Sequence, residues 1–282
     1  MRSLLALVLA LVLTVACGAA AAASAPTARG GDVIMQRFHD GLTEPRCGDA
    51  SKRWRLHYAR AATRLADDDE VALALFGYVL DEVRDAGLPS EFALIPFVET
   101  RYHADARSAG GPAGLWQFTR STARRHGMKV QGKVDERMSV VSSTEAALQY
   151  LKRLHRMFGR DWRSTVMAYN AGEGALKASR RKGGRPLSGI TRSYPDKLHA
   201  IACLFDEHAK RERWRKSIAR PVPKLSPRIL AAGTRNLHAW ARKQGLDPRL
   251  VAALNPGWHV GSLEILAPIG SNAGRTAASK AN

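Results

Sequence analysis

Between residues 50 and 210 the chain has no sustained alternation of apolar and polar residues, the pattern a half-buried strand needs. Helical spacing takes its place. Ala72, Phe76, Val79, Leu80 and Val83 form one apolar stripe within residues 70–83, and Gly87-Leu88-Pro89 ends it. Ser90 is placed to cap a second helix through Phe92, Leu94, Ile95 and Val98 to Glu99, bent by Pro96. A third, with Ser142 and Glu145 as a capping box, carries Ala147, Leu151, Leu154 and Phe158, and a short fourth covers Thr165 to Tyr169. The region is therefore expected to be all-helical.

The N-terminus places the protein outside the cytoplasm. Arg2 precedes an apolar run from Leu4 to Val15 and then small residues suited to cleavage, so residues 1–24 read as a signal peptide too short for a typical span. Cys17, after Thr14-Val15-Ala16, resembles the acceptor of a bacterial lipobox, although Thr14 stands where Leu is usual. Cys17 is thus a candidate lipidation site, with cleavage among the later alanines and an uncleaved anchor as alternatives. Periplasm, or an outer-membrane lipoprotein, is the expected location. Past the signal only Cys47 and Cys203 remain, an even count in an oxidising compartment. One disulfide is expected, two separate buried thiols being the other arrangement. No Cys/His cluster has metal-ligand spacing, so no metal or other cofactor is expected.

A formal charge of +19, from 44 basic and 25 acidic residues, favours an acidic polymer as partner, or else marks solvated Arg-rich faces. The arginines are dispersed and form no base-reading or stacking element, which argues against nucleic acid. Near residue 212 the composition turns basic and Pro-containing, so 213–226 reads as a linker. Beyond it, helical patterns at Leu237–Gln244 and Pro248–Leu254 precede a closing strand in "LEILAPI", and 271–282 reads as a disordered tail.

The chemistry concentrates in "FVETRYHADARSAGGPAGLWQF", residues 97–118. Glu99 ends an apolar run, where desolvation raises a carboxyl pKa and keeps a proton available for a leaving oxygen. Gly110, Gly111 and Gly114 allow close backbone approach. Trp116 offers a flat apolar face and Gln117 an amide, a pair suited to acetamido sugars.

In order and spacing, Glu99-Thr100, Ser108, Gly111-x-Ala113-Gly114-Leu115-Trp116-Gln117-Phe118 and Thr122-Ala123 resemble the signature of the lytic murein transglycosylases. Val134-Asp135-Glu136-Arg137, Ser143-Thr144, Tyr150-Leu151, Phe158-Gly159-x-Asp161-Trp162 and Ala168-Tyr169-Asn170-Ala171-Gly172-Glu173-Gly174 continue the likeness, which is strongest to the membrane-bound lytic transglycosylase D branch. It covers about residues 85–210. Thr100 replaces the usual Ser, Thr119-Arg120 replaces Met-Pro, Ser139 stands near an expected Asp, and Ile190-Thr191 replaces Glu-Thr. Residues 227–270 are similar to a degenerate LysM repeat.

The resemblance implies a mainly α chain: a lysozyme-like helical catalytic domain at 85–212, a helical extension at 25–84, and a small α+β LysM-like module. It implies peptidoglycan glycan strands as partner and cleavage of the MurNAc–GlcNAc bond with 1,6-anhydro ends, Glu99 acting as acid and then as base. The substrate's acetamido oxygen would replace a second carboxylate, and Asp105 is expected to be a solvated loop residue. Ser108 is expected near the Glu99 carboxyl or the acetamide, Gln117 on the acetamide, Tyr169 orienting Glu99 and Asn170 shaping the groove. Trp116 and Tyr194 complete the binding and orienting set. A lysozyme-type hydrolase and a non-catalytic wall-binding protein are the alternatives.

Overall fold

The helix with the apolar stripe turns out to be buried on every side. A computed structural model describes residues 27–66 and 70–270, and in it Leu73, Leu75, Phe76, Val79, Leu80 and Val83 are all fully covered. The signal peptide, Cys17 and the 271–282 tail lie outside the described residues.

The fold is mainly α. Strand β1 (Ala28–Gly30) leads into α1 (Gly31–Asp40), then α2 (Lys52–His57), α3 (Ala61–Ala66) and the buried α4 (Glu70–Asp85). A 3-10 turn at Ser90–Leu94 runs into α5 (Ile95–Thr100), and α6 (Arg120–Arg125) follows the glycine loop. Strands β2 (Val130–Gln131) and β3 (Val134–Asp135) form a two-residue hairpin. Helices α7 (Val140–Met157), α8 (Trp162–Ala171), α9 (Glu173–Ser179), α10 (Gly189–Arg192), α11 (Tyr194–Ala209) and α12 (Glu212–Ile218) complete the helical part. Then come β4 (Pro221–Pro223), β5 (Leu225–Ile229), α13 (Leu237–Lys243), α14 (Pro248–Leu254) and β6 (Glu264–Pro268). Among the described residues no helix is long and apolar enough to cross a membrane.

Local signals place several boundaries differently from the sequence expectations. Pro96 sits in the first turn of α5, where its missing N–H costs nothing, so it starts a helix and does not bend one. Ser90 is buried, and Pro89 holds the position before the turn. Helix α7 begins at Val140 because Ser139 accepts a bond from the Ser142 N–H at 3.2 Å, which leaves Ser142 inside the first turn. The hairpin at 130–135 is too short to show an alternating pattern.

The N-terminal extension shares its core with the expected catalytic domain. Phe38 of α1, Phe76 of α4, Phe97 of α5 and Phe205 of α11 meet at centroid distances of 5.6–6.0 Å, mostly edge to face. The stretch expected as a linker is also built in. Trp214 and Ile218 of α12 are buried, the Trp214 indole donates to the Ala62 carbonyl at 2.9 Å, and β4 pairs antiparallel with β1. β5 pairs antiparallel with β6 around α13 and α14, so the C-terminal module has two strands where the sequence shows one. Its Leu250, Leu254 and Leu266 belong to the main core, and the Gly257 backbone packs on Met138. The module is thus the cover over the far side of α4.

Disulfide Cys47–Cys203 ties the segment before α2 to α11, with 5.5 Å between the Cα atoms. His199 lies close enough to both sulfurs to form a metal-like trio, but the two sulfurs are bonded to each other.

Candidate functional site

The end of α5 sets the position of Glu99. The chain leaves the helix through an αL motif: the Arg101 N–H donates to the Phe97 carbonyl at 3.2 Å, and the Tyr102 N–H reaches back to the Pro96 carbonyl at 3.2 Å. Arg101 and Tyr102 adopt left-handed φ values of 53° and 64°, a costly pair for residues with side chains. Tyr102 is buried and its hydroxyl donates to the Ala93 carbonyl at 2.7 Å, which fixes the turn. The Thr100 hydroxyl lies 3.0 Å from the Pro96 carbonyl and 3.3 Å from that of Leu115, linking the helix end to the glycine loop.

Arg137 holds that loop from behind. Its buried guanidinium binds Asp135 at 2.8 Å and donates to the Gly111 and Phe118 carbonyls at 2.7 and 3.1 Å. Hydrogen bonds from this cation hold the Asp135 carboxyl below its usual range, against the effect of burial. Gly114 has φ +75°, and a Cβ there would lie 1.7 Å from the Arg137 carbonyl oxygen, so only glycine fits. The sequence motif contains Arg137, but nothing in its pattern distinguishes a loop clamp from a surface charge.

Glu99 is half-buried, and burial raises its pKa. The Tyr194 hydroxyl donates a hydrogen bond to Oε1, and the Lys197 charge also acts to lower the value, but desolvation prevails. Tyr194 is the first residue of α11 and Lys197 lies one turn on, so a single helix presents both. The Lys197 ammonium sits 4.8 Å from the centre of the Trp54 ring and 5.8 Å from that of Tyr194. Burial lowers its pKa, and Glu99 opposes that shift. Tyr58, just past α2, is pushed up to about 12 by burial first and then by the Glu99 charge. Trp54, Tyr58 and Lys197 were not singled out from sequence, because they lie on a six-residue helix and its sequel or at a spacing that motif comparison leaves blank.

The structure distributes the expected roles differently. Tyr169 does not bond Glu99; its hydroxyl donates to the Trp116 carbonyl at 2.9 Å, and Tyr194 takes the orienting part. Tyr169 still feels the Glu99 charge, which adds to burial in raising its pKa. Trp116 is 1 % exposed, and its indole donates to Thr144 at 2.9 Å. Its face is therefore spent on core packing and cannot stack on a sugar. Ser108 is exposed and donates to Gln117 Oε1 at 2.7 Å, while Gln117 Nε2 donates to the Gly114 carbonyl at 2.9 Å. These two residues brace one another across the loop, and no bond joins Ser108 to Glu99 among the described residues. Asn170 accepts from Thr191 at 2.8 Å, tying α8 to α10. Glu173 binds Arg153 at 2.7 Å and Tyr150 at 3.0 Å; burial would raise its pKa, but these bonds bring it to about 2. It is a fixed anion. Asp105 is exposed.

A half-buried carboxyl with a raised pKa, held by a tyrosine beside a glycine-rich loop, has the chemistry that a proton-transfer site needs. A profile of the family described as "Transglycosylase SLT domain" matches residues 81–187, and this part of the chain is such a domain. Within that class, the chain is homologous to membrane-bound lytic murein transglycosylase D of Escherichia coli K12, with 34% identity over 167 residues covering 56% of this chain and 37% of that protein. Peptidoglycan transglycosylase gp16 of Escherichia phage T7 is 36% identical over 83 residues, 29% of this chain and 6% of that one. A solved structure of an inactive mutant of lytic transglycosylase Slt from Pseudomonas aeruginosa aligns with TM-score 0.39 and 19% identity, covering 68% of this chain and 38% of that one. The chain thus spans little more than a third of the length of these longer bacterial relatives.

Proposed function

We propose that the protein cleaves the glycan strands of peptidoglycan as a lytic transglycosylase, with Glu99 as acid and then as base. The observation that carries this is a solitary carboxyl. Glu99 is the carboxyl that the Tyr194 hydroxyl binds, while Asp135 is paired with Arg137, Glu173 with Arg153, and Asp105 is exposed. Two-carboxylate glycosidases place a second acid within about 5–10 Å, and substrate assistance is the exception that dispenses with one.

In the proposed reaction Glu99, kept protonated by burial, donates its proton to the glycosidic oxygen as the C1–O bond breaks. The acetamido oxygen of the MurNAc ring bonds to C1 and takes up the positive charge. Glu99, now a carboxylate held by Tyr194, removes the proton of the C6 hydroxyl, whose oxygen attacks C1 and releases the acetamide. Protons balance, and no water is consumed. Ser108 and Gln117 shape the loop expected to receive the acetamide, and Asn170 the groove edge.

The signal-like N-terminus and Cys17 favour an exported protein, with a lipid anchor as the proposed attachment. The E. coli relative carries "membrane-bound" in its name, which agrees. Residues 227–270, two paired strands flanking two helices, are proposed as a LysM-like wall-binding module. Digestion of purified sacculi followed by weighing of the products tests the reaction. Anhydro-muropeptides, lighter by one water than hydrolysis products, are expected; reducing muropeptides would make the protein a hydrolase, and no release a binding protein.

A further inference from the structure

The segment between Cys47 and α3 lies outside the matched SLT residues, and it builds a cleft that the reaction above leaves unused. The cleft, about 460 Å³, opens between α2–α3 and the end of the Glu99 helix. Leu56, Tyr58, Arg60, Arg64 and Arg101 line it, and among the described residues no Asp or Glu does. Arg60 and Arg101 are exposed, and among the described residues neither has a carboxylate within ion-pair distance. Leu56, at 79 % exposure, is an uncovered apolar side chain at the same cleft.

Arg101 occupies the left-handed position just past the helix end, where glycine is the usual residue. Folding alone favours glycine there, because a left-handed backbone strains any residue with a Cβ. The chain instead keeps a guanidinium at a strained site two residues from its catalytic carboxyl. Strain of this kind, retained beside a functional group, points to a use.

We propose that this cleft binds a carboxylate of the peptide branch borne by the glycan strand, so that the enzyme favours peptide-bearing over bare strands. The inference rests on the glycan-cleaving function proposed above. Sugar hydroxyls and acetamides need no cluster of guanidinium groups, whereas a carboxylate is matched by their fork of donors. The bounded concavity suits one or two carboxylates and not a ladder of phosphates, and Leu56 suits a small apolar side chain of the same branch. Disulfide Cys47–Cys203 anchors the wall that carries Leu56 and Arg60 to the helix bearing Tyr194 and Lys197.

The test compares kcat/KM on peptide-bearing strands with kcat/KM on the same strands stripped of peptide by an amidase, at fixed salt. For Arg101→Gly the ratio should fall about tenfold, the scale of one charge-assisted hydrogen bond. The same variant should melt at or above the temperature of the parent, because glycine relieves the left-handed turn. Arg60→Gln, an exposed change, should lower the ratio in the same direction. An unchanged ratio in both variants overturns the proposal, as does an equal loss on both substrates. If the parent cleaves neither substrate, the proposed reaction fails. The cleft is then judged by direct binding of peptide-bearing strands, which Arg101→Gly should weaken about tenfold if the cleft holds the branch and leave unchanged if it does not.

Discussion

Replacing Tyr194 by Phe removes one oxygen and nothing else. The ring is fully buried at the start of α11, so the phenyl group keeps the packing and the face turned to Lys197. What is lost is the hydrogen bond to Glu99 Oε1. That bond matters most when Glu99 is a carboxylate, which is the state forming as its proton moves to the glycosidic oxygen. Hydrogen bonds to charged groups contribute about 1.5–3 kcal/mol net. If that full amount is realised in the transition state, kcat/KM at the optimum falls roughly ten- to hundredfold. The pH profile should shift as well. Tyr194 acts to lower the Glu99 pKa, so its removal lets desolvation raise that pKa further. The proton-donating form then persists to higher pH, and the alkaline fall of kcat/KM moves upward. Initial rates on a soluble glycan oligomer across the pH range measure both effects. A variant within twofold of the parent, with its alkaline limb unmoved, would refute the assignment of Tyr194 as the positioning group.

Two further expectations concern the frame around the site. Changing Cys47 and Cys203 together to Ser opens a loop of sequence separation 156, worth about 5 kcal/mol in the chain-entropy account, read as a lower denaturation midpoint; a loss below about 1 kcal/mol would show that the bridge does not constrain the fold. Truncation after Arg220 uncovers α4 by removing Leu250, Leu254 and Leu266, each worth about 1.5–3 kcal/mol when buried, so melting temperature and activity on soluble fragments should fall together. A truncated protein that melts normally and cuts soluble fragments at full rate would instead make the module a tether.

How far the sequence carried the account differs from element to element. The α4 stripe is visible in its spacing, but α4 is also packed by α1, where Leu73 meets Gly31, and by a module about 180 residues further on. Local periodicity cannot report such a partner, and the same blindness made α12 and β4 look like a linker. Glu99 is legible because a carboxyl closing an apolar run is conspicuous, whereas Gly114 reads only as one of three loop glycines until the Arg137 carbonyl is seen where its Cβ would stand. Trp116 misled, since an aromatic after a glycine turn reads alike whether it faces sugar or core, and the bond to Thr144 decides for the core. The exchange of roles between Tyr169 and Tyr194 turns on which hydroxyl reaches Glu99, a matter of helix placement and not of motif. Trp54, Tyr58 and Lys197 are brought to the site by the disulfide and the turn of α11, neither of which spacing along the chain reveals.

The central claim is that Glu99 alone moves the protons, and Glu99→Gln tests it most directly. Glutamine keeps the size and can still accept from Tyr194, so folding and association with sacculi should persist. Release of anhydro-muropeptides, followed by mass, should drop at least about 10²–10⁴-fold, the range of general acid–base catalysis. Release at a substantial fraction of the parent rate would contradict the account and require another acid.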